Sequence, residues 1–137
     1  MDAERGHRPI EHTADVGIAA WGPDAAAAIE EAAAGLVELV GGCCERVEGV
    51  RRVELAGRDL AAAAVGLLNE LVYLRDAEGL GFGRVRVRPR PDGLEAEVET
   101  GPPRAGAAGL EVKAATLHGL VLEPGEHGAE LRVFLDV

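Results

Sequence analysis

Lysine is nearly missing from this chain. Thirteen of its fourteen basic residues are arginine, and Lys113 stands alone. Beside so many alanines and glycines, the bias reads as genome composition, and it draws attention to the one lysine that remains. Aromatics are also scarce: Trp21, Tyr73, Phe82 and Phe134 are all there are. The core must therefore pack aliphatic side chains, a partner surface has few aromatic anchors, and there is no basic-aromatic platform for stacking bases. The two cysteines, Cys43 and Cys44, are neighbours, and a bridge between them would need a strained ring, so a reducing compartment fits. No apolar run approaches the roughly 20 residues that span a bilayer, and residues 1–7 are polar rather than signal-like, so no membrane association and a cytoplasmic location are expected. P-loop, Rossmann and nucleophile-elbow glycine patterns are absent, as is zinc-type Cys/His spacing. Positive charge is in deficit as well: 24 acids against 14 bases give −10, which repels nucleic acid at long range. No stable direct contact with nucleic acid is expected, and any RNA connection should run through a partner.

What is present suffices for one domain over residues 1–137. The chain is 47% apolar, and at this length its radius of gyration is about 14 Å, so both ends can meet. Val16, Ile18 and Ala20 alternate as a strand. Asp24 then caps a helix in which Ile29, Ala32, Leu36 and Val40 recur until Gly41-Gly42. Residues 51–56 read as a strand, with Val53 and Leu55 facing one way. Asp59 caps a second helix, whose stripe from Leu60 to Leu74 is wide enough to be covered on more than one side; Asn69 and Glu70 are its polar exceptions. After Gly83, Val85 and Val87 alternate with arginines, a turn follows at residues 89–93, and Leu94, Ala96 and Val98 alternate with glutamates. Antiparallel pairing then sets Arg88 opposite Glu95, Arg86 opposite Glu97 and Arg84 opposite Glu99, an ion-pair ladder. A loop at residues 101–109 leads to a strand near 111–117, a Gly119 turn and a last strand from 129 to 137. The order β-α-β-α-β-β-β-β predicts an α+β fold, a two-layer sandwich of a mostly antiparallel sheet with two helices on one face.

Three segments carry groups suited to chemistry. Glu11, His12 and Asp15 crowd the entrance to the first strand, either as metal or proton ligands or, more simply, with Thr13 and Asp15 as turn residues bonding nearby amides. At the other end, Asp136 and the chain-end carboxylate of Val137 offer two hard oxygen donors of the kind Ca²⁺ or Mg²⁺ takes; a solvated strand end is the plainer alternative. In the segment from Lys113 to Gly119, a regular strand puts Thr116 and His118 on one face and Lys113 on the other, so only a bulge would align all three.

Taken in order, His12-Thr13-Ala14-Asp15-Val16-Gly17, Leu68-Asn69-Glu70-Leu71-Val72-Tyr73-Leu74, Asp76-Ala77-Glu78-Gly79, Lys113-Ala114-Ala115-Thr116-Leu117-His118-Gly119 and Leu135-Asp136-Val137 resemble the archease family along nearly the whole chain. The resemblance implies a non-enzymatic, chaperone-like activator of the RtcB-type RNA ligase, the GTP-dependent enzyme of tRNA splicing and RNA repair. Such proteins promote the ligase's guanylylation and multiple turnover. It further implies a divalent metal ion, calcium, at Asp15 and Asp136, with His12 and the Val137 carboxylate completing the shell. Lys113 falls on the family's functional lysine, with His118 in the same motif. The segment at residues 102–108 departs from the family in being nearly bare of polar groups, which weakens any partner contact from that loop. A different class of function also remains: a small metal-dependent phosphoester hydrolase using the same carboxylates.

Overall fold

Both helix starts form as the sequence suggests. The Asp24 carboxylate accepts the Ala27 amide at 2.8 Å and opens α1 (Ala25–Leu39); the Asp59 carboxylate accepts from Ala61 and Ala62 and opens α2 (Leu60–Glu78). Gly79 ends α2 at φ +67, where a side chain would be strained. The structure, a computed structural model, describes residues 4–11 and 16–137. Around these helices run β1 (Gly6–Glu11), β2 (Val16–Gly22), β3 (Gly49–Ala56), β4 (Gly81–Arg90), β5 (Gly93–Gly101), β6 (Ala114–Gly125) and β7 (Gly128–Asp136).

The α+β class and the antiparallel pairing are as expected, but the strands divide between two sheets, ordered β1-β2-β7-β6 and β3-β5-β4. The wide apolar stripes require this arrangement. α1 lies on β1, β2 and β7 of the larger sheet and on β4 of the smaller, while α2 lies on β6 and on β3 and β5. Ile18, Ile29, Leu36, Leu67, Leu71, Val98 and Val133 form the centre of the shared core, and Phe82 is the one aromatic among the buried core residues described. Alanines at 28, 32 and 33 are fully buried, so α1 approaches its neighbours closely.

Four further features differ from the sequence reading. β1 was not anticipated: it is an edge strand, and Pro9 inside it breaks the usual strand signal but needs no ladder donor on an open edge. The β4–β5 register is as read at Arg88↔Glu95 and Arg86↔Glu97, but a shift between Phe82 and Val85 removes the third pair. There the Arg84 backbone N–H donates to the Glu99 carboxylate instead. Nor is the ladder a set of one-to-one ion pairs. Glu95 lies within 3.7 Å of Arg52, Arg88 and Arg90. Finally, Gly119 does not turn the chain. β6 runs on to Gly125, and the left-handed Gly119 (φ +71) sits in a bulge between Thr116 and Val121.

Candidate functional site

The β1–β2 connection and the C-terminal end of β7 meet at one end of the four-stranded sheet. Gly6, near the start of the chain, pairs with Trp21 at the opposite end, so the two chain ends themselves do not meet there. Leu135 of β7 pairs with Val16 of β2 on one side and with Ala115 of β6 on the other. Glu11 pairs with Val16 across the β1–β2 connection, and the four residues between them, including the candidate ligands His12 and Asp15, lie outside the described residues. One step beyond Leu135, Asp136 pairs with Ala114, and its carbonyl accepts the Lys113 backbone N–H at 2.8 Å. The sole lysine and the penultimate aspartate are therefore strand neighbours.

The side chains of Lys113 and Asp136 are exposed, as is Val137, and neither charge has an opposite charge within 4 Å among the described residues. Among the described residues the Asp136 carboxylate thus has no ion-pair partner, and it stands on a solvent-facing tip. This suits a hard divalent cation, which takes carboxylate oxygens and keeps water in its remaining positions. Among the described residues no group of three or more His, Cys, Asp or Glu is gathered around a metal position; the candidate ligands His12 and Asp15 lie outside them. His118 is exposed within the bulge, beside the exposed Leu117. The bulge breaks strict alternation only after Thr116, so it does not by itself bring Lys113 and Thr116 onto one face.

Asn69, noted in the sequence only as a polar interruption, has a defined role. Its side-chain oxygen accepts the Ala115 N–H at 2.7 Å and its side-chain nitrogen donates to the Ala115 carbonyl at 3.1 Å. β6 is an edge strand, and the amide stands in for a missing neighbour. The available signal was a carboxamide in the middle of an apolar helical stripe.

A second polar cluster joins β1 to α1 and was not foreseen. The two ring nitrogens of His7 lie 2.7 Å from the Glu31 carboxylate and 2.9 Å from that of Glu38, while Arg5 binds Glu31 at 2.6 Å and Glu30 at 3.2 Å. Burial alone would lower the His7 pKa. The bonds to Glu38 and Glu31, with their negative charges, outweigh it and hold the imidazole above its usual value. Glu30 also accepts the Val87 N–H at 2.8 Å, closing the open edge of β4 much as Asn69 closes that of β6.

Compared with known proteins, residues 7–137 match the profile of the Archease protein family (MTH1598/TM1083). The chain belongs to the archease family. It is similar to protein archease of Thermococcus kodakarensis, 33% identical over 133 residues covering 91% of this chain and 93% of that one. It also resembles the probable protein archease of Mycobacterium tuberculosis, 32% identical over 138 residues covering 96% and 75%. Among solved structures it resembles Methanobacterium thermoautotrophicum protein 1598, with a TM-score of 0.73 and 27% identity over 96% of this chain and 99% of that one. The Thermotoga maritima protein TM1083, described as an archease and possible chaperone, shares the fold with a TM-score of 0.65 at 23% identity over 95% and 96%. Archease membership covers the tip and its supports alike: the Asn69, Lys113 and Asp136 positions all lie within the matched region. No helix among the described residues is long and apolar enough to cross a membrane.

Proposed function

We propose that this chain is an accessory protein that promotes guanylylation and multiple turnover of an RtcB-type RNA ligase in tRNA splicing and RNA repair. The observation that carries the reading is the Lys113–Asp136 backbone bond. It joins two residues on which the family resemblance places function at a tip that also receives the β1–β2 connection bearing His12 and Asp15. The description of a related fold as a possible chaperone supports assistance rather than catalysis.

In this reading Asp136 and the Val137 chain end, with Asp15 and His12, hold a divalent ion, calcium in the first instance. A bound ion supplies positive charge and open coordination positions toward a phosphate or a partner carboxylate. Lys113 adds three N–H donors beside it for the same kind of anion. The charge of −10 keeps the chain off nucleic acid generally, so contact is confined to this tip and the ligase.

The test mixes wild type, Asp15→Ala, Lys113→Ala and Asp136→Ala with limiting cognate ligase, GTP and RNA, and follows ligase guanylylation and joined product. Stimulation by wild type that folded variants lose is the expected result. Wild type that leaves a catalytically competent ligase unchanged would refute the proposal. Metal-dependent phosphoester turnover by the chain alone, lost with Asp136, would replace it with the hydrolase.

A further inference from the structure

The Lys113 end of β6 is weakly held by its own strand. From Ala114 to Thr116 only three residues pair with β7 before the register breaks, and pairing resumes at Val121. The Lys113–Asp136 backbone bond and the Thr116 hydroxyl bond to the Phe134 carbonyl at 3.2 Å extend this short ladder. The bulge uncouples the stub from the longer stretch beyond it, so the second half of β6 cannot fix its position. On its other side β6 pairs with no strand among the described residues. There the only hydrogen bonds to described residues are the two from Asn69, which reach Ala115 at the middle of the three paired residues.

The chemistry fits a clamp. A backbone edge presents one donor and one acceptor side by side, and a carboxamide is the side chain that offers the complementary acceptor and donor in one plane. Its orientation follows from its partners, since the Ala115 N–H requires the oxygen and the Ala115 carbonyl requires the nitrogen. Asn69 is anchored in α2 between the fully buried Leu68 and Leu71, so the clamp is referred to the core rather than to a loop.

We infer that Asn69 is a positioning residue for the tip: by gripping Ala115 from α2 it holds Lys113 and Asp136 in the register that the ligase contact and the metal require. This rests on the tip being the functional site. Asn69 bonds the Ala115 backbone and neither Lys113 nor Asp136; it acts by setting where those two residues are placed, as outer-shell residues do at metal sites.

The test compares wild type, Asn69→Ala and the near-isosteric Asn69→Leu, with Glu30→Ala as control. Glu30→Ala removes a matched helix-to-edge bond, to Val87, in the other sheet. Two quantities are read: amide hydrogen exchange at Lys113, and Ca²⁺ affinity by titration calorimetry. Faster exchange at Lys113 in both Asn69 variants, beyond any change in Glu30→Ala, is expected, with Ca²⁺ binding weaker by about tenfold, the size usual for loss of an outer-shell partner. Ligase stimulation should then fall at limiting Ca²⁺ and recover at saturating Ca²⁺. Lys113 exchange in the Asn69 variants equal to that of Glu30→Ala would overturn the inference whatever the metal result. If wild type binds no Ca²⁺, the metal reading of the tip fails, and the Lys113 exchange still decides the role of Asn69.

Discussion

Raising the pH should loosen the attachment of β1 to α1, because the His7 bridge is complete only when the imidazole carries two protons. Each ring nitrogen faces a carboxylate, at 2.7 Å for Glu31 and 2.9 Å for Glu38, and a neutral ring would turn a lone pair toward one of them. The groups around His7 are Glu31 and Glu38 on α1, Arg5 ahead of β1, and Glu30 through Arg5. The Glu38 side chain is 64% exposed, so its bond is largely screened; that of Glu31 is 18% exposed and keeps most of its strength. A shielded charge-assisted hydrogen bond discounted for partial exposure contributes about 1 kcal/mol, or roughly 4 °C in Tm for a domain of this size. The folded pKa lies above the ordinary 6.5, so this stability is fully present below pH 6.5 and is lost as pH rises through the folded value. The assay is thermal unfolding of wild type and His7→Gln from pH 5 to 9, with the His7 ring resonances titrated in parallel. Wild type should exceed the variant most at acid pH, and the gap should close on the alkaline side. A gap that is constant or widens with pH, or a His7 pKa below 6.5, would refute the reasoning.

Glu95 is the hub of the outer face of the smaller sheet, and the Arg90 bond first, with Arg52 and Arg88, holds its carboxyl below the usual 4.5. It is only 8% exposed, but its cover is the guanidinium groups of exposed arginines, so it stays close to water. Its contribution should be present above pH 4.5 and lost as pH falls through the folded value; the Tm deficit of Glu95→Gln should shrink toward acid pH and in high salt. Gly119→Ala should lower stability by about 1–3 kcal/mol in denaturant melts, because φ is +71 and the new methyl would stand 2.9 Å from the Phe134 ring. An unchanged midpoint would mean that the bulge relaxes without strain.

How far the sequence could be read followed the range of the interactions involved. The helix caps at Asp24 and Asp59, the αL stop at Gly79 and the β4–β5 register involve residues close together in the chain, so period and turn chemistry reveal them. β1 was hidden because an edge strand containing Pro9 shows no alternation, and the division into two sheets was hidden because alternation says which face is buried but not by what. The family motif named Lys113 and Asp136 as functional residues, but nothing local to either places them in one backbone bond.

The sequence by itself determined the α+β class, the aliphatic core, the acidic surface and the archease membership, because these depend on composition, periodicity and ordered motifs. Only the tertiary structure decided that β7 lies between β2 and β6, that a bulge cuts the Lys113 stub away from the rest of its strand, and that Asn69 and His7 reach across to Ala115 and to Glu31 and Glu38. The physical reason is that a polar side chain takes as its partner whichever complementary group the packed core brings within about 3 Å, and that group is set by how the layers stack rather than by its distance along the chain.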